Sequence, residues 1–206
     1  MESFDNRYYS DKVVTPTNQT TVEFIRSAKC EFIAEFGVLH GATSIEIAKC
    51  LNGNGVIHLY DFNYNVEKVV KLIRDLGYNN VEGFGCSSKM LDSYNWPLMK
   101  VIEAHPHPIY DYVYLDGAHT WNVDALTFLL CDRLLKVGGY VDFDDYNWSL
   151  AISPTLSPSK FPMTKEMYTD EQIETSQVKK IVDLLVRPDK RYVEIVKDKI
   201  FQKRLA

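Results

Sequence analysis

The sequence predicts an α/β fold, a doubly wound and mostly parallel seven-stranded sheet closed by a C-terminal antiparallel hairpin. Three observations predict it. Short apolar runs alternate with helical periodicity from about residue 30 to residue 145, the pattern of repeated βαβ units. Glycines stand where the first apolar run passes into a helix, as such a turn requires. The stretch from Arg191 to Lys203 reads as two strands about an Asp198-Lys199 turn. A chain of 206 residues suits one domain spanning residues 1–206, large enough for a sheet covered by helices on both faces.

Taken in order, residues 1–21 are polar and rich in Tyr, Asn and Thr, an N-terminal arm that is either flexible or folded over a site, with helical pattern beginning near Thr21. Strands are expected near residues 31–36, 56–61, 80–84, 111–116 and 139–144. Between them, Ser44 to Leu51, Val66 to Leu76, Ser88 to Glu103 and Val123 to Leu135 carry apolar residues three and four apart. Val66, Val69, Val70, Ile73 and Leu76 form the clearest stripe, and Gly77 supplies its stop. Gly138-Gly139 predicts a tight turn into the last parallel strand. Residues 149–169, with Pro154, Pro158 and Pro162, read as a loop, and a loop this long in a compact domain is a candidate substrate lid. Glu171 to Val186 resumes helix.

Composition narrows the function. A net charge of -5 gives no electrostatic reason to expect a nucleic acid or an acidic membrane surface, so a small-molecule substrate is expected. No apolar run is long enough to cross a bilayer, and the N-terminus lacks an apolar signal core, so a cytoplasmic location is expected. Cys30, Cys50, Cys86 and Cys131 show no C-x-x-C spacing and read as buried free thiols. A symmetric homodimer, in which arm or loop covers a neighbour's site, is an open alternative to a monomer.

The glycine turn is Glu35-Phe-Gly37-Val-Leu-His-Gly41-Ala-Thr43-Ser44. Its G-x-x-x-G spacing lets backbone approach a ligand at a helix N-terminus but lacks the dinucleotide G-x-G-x-x-G, which disfavours a nicotinamide cofactor. About 20 residues on, the second strand ends in Tyr60-Asp61-Phe62, where an acid can accept from both hydroxyls of a ribose. Together these imply a nucleoside ligand. Asp116 and the Asp144/Asp145 pair end two neighbouring strands, and three carboxylates brought together would repel unless a divalent cation joined them. Magnesium suits such an all-oxygen set. Each acid also has a structural alternative, as a turn cap or a solvated strand end. His119, three residues after Asp116, is either a general base near neutral pH or a residue that orients Asp116, and Asp116 is the other candidate base. Asp142 stands mid-strand, where burial requires a partner that the sequence does not reveal. Tyr8, Tyr9, Tyr146 and Trp148 are candidate pocket walls, with packing as the alternative.

Through Glu35-x-Gly37-x-x-x-Gly41-x-Thr43, Asp61, Cys86-Ser87 and Asp116-Gly-Ala-His119, residues 30–148 resemble the class I S-adenosylmethionine-dependent methyltransferases. Asp116 with Asp144-Asp145 makes the resemblance closest to the metal-dependent small-molecule O-methyltransferases, such as those acting on macrolide sugars and catechols. The resemblance implies a Rossmann-like methyltransferase fold and S-adenosyl-L-methionine as cofactor. It implies that Glu35, Gly37, Gly41, Thr43 and Ser44 carry the methionine end, that Asp61 holds the ribose, and that Phe62 lies against the adenine with Cys86 and Ser87 at its polar edge. Asp116 would touch both cofactor and a magnesium ion held with Asp144 and Asp145, and a small-molecule hydroxyl, as of a sugar, nucleotide-sugar or polyketide glycoside, would be the methyl acceptor. Two positions depart from the common pattern: Leu39, where many members have glycine, and Val137, where proline is common. The alternatives are a metal-independent methyltransferase with His119 as base, and a non-catalytic cofactor-binding subunit.

Overall fold

The computed structural model describes residues 15–206. The first helix, α1 (Gln19–Ala28), is followed by β1 (Phe32–Phe36), α2 (Ala42–Leu51), β2 (Val56–Phe62), α3 (Asn63–Asp75), β3 (Val81–Cys86), α4 (Asn95–Ala104), β4 (Tyr110–Leu115), α5 (Trp121–Leu134) and β5 (Leu135–Phe143). Short helices α6 (Thr164–Met167), α7 (Asp170–Glu174) and α8 (Gln177–Ile181) lead through a π-turn to the hairpin of β6 (Tyr192–Val196) and β7 (Ile200–Lys203). The seven strands lie in the order β3-β2-β1-β4-β5-β7-β6. Strands β1 to β5 run parallel, and β7 is antiparallel to both its neighbours.

Burial follows from this topology. Ile33, Ala34 and Phe36 of β1 and Tyr112, Val113 and Tyr114 of β4 are fully buried, because a central parallel strand is covered on both faces. One apolar cluster joins Val22, Ile25, Ile47, Val69 and Ile73 from α1, α2 and α3 to one face of the sheet. The other joins Leu98, Val101, Phe128, Cys131 and Ile181 from α4, α5 and α8 to the opposite face. The expected double winding is therefore observed. Strand order reverses between β1 and β4, and at such a switch point the loops part to leave a crevice beyond the C-terminal strand ends. Here Asp116 N donates to Phe36 O at 2.9 Å and Gly37 N to Tyr60 O at 2.8 Å, so β1, β2 and β4 end together.

Several boundaries differ from those the pattern suggests, each for a local reason. The helix expected from Ser88 starts at Asn95, because Pro97 is excluded from a helix interior and is tolerated in the first turn it then occupies. Strand β5 begins at Leu135, directly after α5, so Gly138-Gly139 lies inside it at a register shift rather than in a turn before it; Gly138 takes φ +90° there. The helix expected over 171–186 is broken: a Thr169/Gln172 capping box starts α7, the chain turns at Thr175-Ser176, and the π-turn Val182–Val186 precedes Pro188. The candidate lid, residues 149–169, contains a 3-10 turn at Leu150–Ile152 and helix α6, and is held by Thr164 Oγ1 donating to Leu156 O at 2.6 Å. Of the N-terminal arm, residues 1–14, and with them Tyr8 and Tyr9, lie outside the described residues. Among the described residues no helix is long and apolar enough to cross a membrane.

Candidate active site

The glycine turn meets β4 at the switch point. Gly37 takes φ +85°, and a Cβ there would stand 2.0 Å from the carbonyl oxygen of Asp116, so only glycine allows the two loops to touch. Gly41 has a different duty: at φ +78°, a Cβ on it would meet Val69 Cγ1 at 2.6 Å, which marks close packing of α2 against α3. Leu39, the departure from the common glycine, adopts φ +43°. Asp61 holds this turn in shape. Its Oδ2 accepts from Val38 N at 2.8 Å and Leu39 N at 3.0 Å, and its Oδ1 accepts from Phe62 N at 2.6 Å. One acceptor position on Oδ1 is left for a ligand hydroxyl.

Glu35, the last acid before the turn, is only 2 % exposed, and its Oε2 has no hydrogen-bond partner among the described residues. Burial pushes its carboxyl up to about 8 against the opposing influence of the Ser44 hydroxyl. An orphaned buried acid is costly unless something satisfies it, and a cationic ammonium would do so. The donor set and the Gly37 cradle thus fit the methionine end of S-adenosylmethionine. Thr43 and Ser44 open α2 behind the turn. Thr43 Oγ1 accepts from Asn18 N at 3.0 Å, tying the end of the N-terminal arm to the site. Cys86 is buried, with its thiol pushed up to about 12 by burial, and lies opposite Phe62 in the β2/β3 register. The Ser87 N–H and hydroxyl both donate to Asp92 Oδ2, at 2.8 Å and 2.6 Å.

At the ends of β4 and β5, Asp116, His119 and Asp145 present one ligand atom each, all within 4.8 Å of one another. His119 Nε2 lies 3.8 Å from Asp116 Oδ1 and 3.5 Å from Asp145 Oδ2. Both His119 and Asp145 take left-handed backbone, φ +55° and +58°, which turns their side chains inward from the loops after β4 and β5. The His119 ring also packs at 5.1 Å against Trp148. Burial and the charge of Asp144 raise Asp116 well above the usual carboxylate range. Asp145 is likewise raised, chiefly by burial.

Asp144, beside Asp116, has partners on both of its oxygens. Its Oδ2 accepts from Tyr114 OH at 3.0 Å and Asn18 Nδ2 at 3.2 Å, and its Oδ1 lies 3.3 Å from Lys199 Nζ. Burial opposes its charge, but Lys199 and Tyr114 outweigh burial and hold it below the usual range. The Tyr114 hydroxyl oxygen also lies 3.0 Å from Asp116 Oδ2, so its single proton is shared between the two acids. Asp142, whose partner the sequence does not reveal, accepts on Oδ2 from Tyr112 OH at 2.5 Å and Thr21 Oγ1 at 2.7 Å, while Lys199 Nζ stands 2.9 Å from Oδ1 as an ion-pair partner rather than a hydrogen-bond donor.

Sequence reasoning therefore missed Lys199, Asn18, Thr21, Tyr112 and Tyr114, which come from three distant segments and act on the acids through long-range contacts. The alternation of the β4 tyrosines was a readable signal, since Tyr112 and Tyr114 share the face that carries Asp142 and Asp144 on β5. Also missed was Tyr94, buried under the loop after β4, whose hydroxyl bonds Asp124 and accepts from Ala118 N at 3.0 Å.

No protein-family model and no curated protein matches this chain. Solved structures do match in fold. An O-methyltransferase from Bacillus cereus in complex with SAH superposes with a TM-score of 0.62 at 15% identity, covering 95% of this chain and 86% of that one. The O-methyltransferase TomG from Streptomyces achromogenes, involved in tomaymycin synthesis and in complex with SAM, gives 0.59 at 13% identity, covering 96% and 85%. An SAH-bound methyltransferase from Podospora anserina gives 0.59 at 16% identity, covering 91% and 76%. The chain has the Rossmann-like methyltransferase fold.

Proposed function

We propose that this chain, built on the methyltransferase fold, is an S-adenosylmethionine-dependent O-methyltransferase acting on a hydroxyl of a small molecule, a sugar or nucleotide-sugar in the first instance, with a divalent cation assisting. The observation that carries this reading is one juxtaposition: an orphaned buried Glu35, a Gly37 turn pressed onto the Asp116 carbonyl, and the Asp116/His119/Asp145 cluster at one sheet edge. The SAM and SAH complexes of the O-methyltransferases that share the fold support it.

S-adenosylmethionine, when bound, supplies an electrophilic sulfonium methyl. Glu35 would pair with its ammonium group, the glycine turn would receive its methionine end, and Asp61 would accept from a ribose hydroxyl. Asp116, His119 and Asp145 would hold the cation, which makes a coordinated hydroxyl more acidic. Trp148, against His119, would wall the acceptor side and exclude water. Transfer then needs the acceptor oxygen in line with the methyl, an arrangement that positioning groups supply.

A metal-independent reading rests on His119 alone, whose Nε2 beside Asp145 could take the hydroxyl proton. Calorimetry with S-adenosylmethionine, with and without divalent ion, tests the main reading. Micromolar cofactor binding is the expected result, and no detectable binding overturns it. Label transfer from methyl-labelled cofactor to a panel of sugars and nucleotide-sugars, repeated with chelator, then separates the two readings: turnover that survives chelation eliminates the cation.

A further inference from the structure

Lys199 sits in the turn between β6 and β7, and the antiparallel pairing of β7 with β5 places it beside the acid-bearing end of β5. Its backbone is pinned there: Lys199 N donates to Val196 O at 3.1 Å, and Lys199 O accepts from Phe143 N at 2.9 Å. The side chain is 17% exposed and runs inward, Nζ standing 5.3 Å from the Tyr114 ring centroid, 2.9 Å from Asp142 Oδ1 and 3.3 Å from Asp144 Oδ1. The hairpin thus delivers a fixed ammonium into the carboxylate cluster.

From this geometry we infer that Lys199 is a positioning residue that serves as a built-in counter-ion for Asp142 and Asp144, removes Asp144 from the cation's ligand set, and leaves Asp116, His119 and Asp145 as a mixed nitrogen and oxygen site. Three observations carry this. Asp144 already has donors on both oxygens, from Lys199 on one and from Tyr114 and Asn18 on the other. An ammonium and a divalent ion on one carboxylate repel each other, so the occupied acid is a poor ligand. The three atoms left to converge include an imidazole nitrogen, which an all-carboxylate magnesium site does not have.

The consequence concerns which ion the site takes. Imidazole suits late first-row transition ions, whereas magnesium prefers oxygen alone, so the wild-type protein should favour Co2+ over Mg2+. Lys199 also fixes Asp116 at one remove, because the Tyr114 hydroxyl shares its single proton between Asp144 Oδ2 and Asp116 Oδ2, 3.0 Å from each.

The inference rests on the methyltransferase reading only for the identity of the site, and it is tested without turnover. Calorimetry measures Mg2+ and Co2+ binding to the full chain, with the visible spectrum of bound Co2+ reporting imidazole ligation. The wild type should bind Co2+ at least about tenfold more tightly than Mg2+. Lys199→Met should raise Mg2+ affinity by about tenfold or more as Asp144 becomes free, and adding Asp144→Asn should reverse the gain. Lys199→Arg, which keeps the charge, should behave as wild type. Since Lys199→Met leaves Asp142 buried without its cation, the double variant Lys199→Met/Asp142→Asn carries the same test if the single one does not fold. Unchanged Mg2+ affinity in a folded Lys199→Met variant, or loss of ion binding on Asp144→Asn in the wild-type background, overturns the inference. S-adenosylmethionine calorimetry on the same preparations separates the two proposals: cofactor binding with no Lys199 effect sinks this one alone.

Discussion

Replacing Glu35 by Gln should reshape the pH dependence of stability in a way that the burial of this one group dictates. Glu35 is 2 % exposed, its carboxyl is pushed up to about 8 by burial, and its ordinary value is 4.5. Between those values the folded protein holds a proton that the unfolded chain has released, so the contribution is present in full below 4.5 and is lost as pH rises through 8. With about 1.36 kcal/mol per unit, the change between pH 5 and pH 8 amounts to about 3.5 kcal/mol. His58 works in the opposite direction. Buried beside Tyr110, whose hydroxyl lies 2.8 Å from Nδ1, it is lowered to about 4 by burial, so its contribution is present above 6.5 and lost as pH falls towards 4. Between about 4.5 and 6.5 the slopes of these two groups oppose each other, and other raised carboxyls such as Asp116 add to the total, so the wild-type curve alone reports neither group. The difference between wild type and Glu35→Gln isolates Glu35.

Urea denaturation of both proteins at pH 5, 6.5 and 8 measures that difference. The variant should gain on the wild type by about 3.5 kcal/mol from pH 5 to pH 8, a relative midpoint shift on the order of 1 to 2 M urea. A gap constant to within about 1 kcal/mol would refute the assignment of Glu35 as a buried carboxyl that keeps its proton in the folded protein. The same proton links stability to the proposed cofactor. If an ammonium ionises Glu35 on binding, S-adenosylmethionine should release about 0.9 proton at pH 7, read by calorimetry in two buffers of different ionisation enthalpy, and Glu35→Gln should release none.

Other residues carry their own expectations. Gly37→Ala places a methyl 2.0 Å from Asp116 O at a left-handed φ, so it should lower stability by about 2 to 4 kcal/mol and remove cofactor binding; a wild-type melting temperature would contradict the Gly37 packing. His58→Phe should remove the His58 part of the acid-side loss of stability between pH 6.5 and 4, read as a difference from wild type in the same urea series extended to pH 4. Tyr94→Phe leaves Asp124 and the Ala118 N–H without their shared hydroxyl, and a loss of about 1 to 3 kcal/mol is expected, with faster amide exchange across residues 116–120; unaltered exchange would show that Tyr94 does not brace the His119 loop. His119→Ala should weaken Co2+ binding by about 10-fold or more while S-adenosylmethionine affinity stays within about twofold, and a matching loss of both would move His119 to the cofactor side.

What the sequence revealed and what it concealed divide along the range of the interactions. Gly37, Asp61 and Asp116 were legible because each stands at a fixed offset from a strand end, and the parallel order β2-β1-β4 brings those ends together whatever the surrounding side chains do. The start of α4 differs from the apolar spacing because Pro97 limits the helix, and the glycines of β5 resemble a turn because a bulge and a turn demand the same backbone freedom. The state of the acids was not legible at all. Asp142, Asp144 and Asp145 are separated by at most three positions, yet one is neutralised within the core, one is held between a lysine and a tyrosine, and one faces His119 across the crevice. Alternation along β5 sends Asp142 and Asp144 to the same side, while Asp145, with left-handed backbone, stands 3.5 Å from His119. The partner that decides between them, Lys199, lies 55 residues from Asp144 and reaches it only because the hairpin folds back antiparallel on β5. An acid count can therefore suggest that a cation belongs at this edge, but the distribution of charge between Lys199 and a bound ion is a property of the closed sheet.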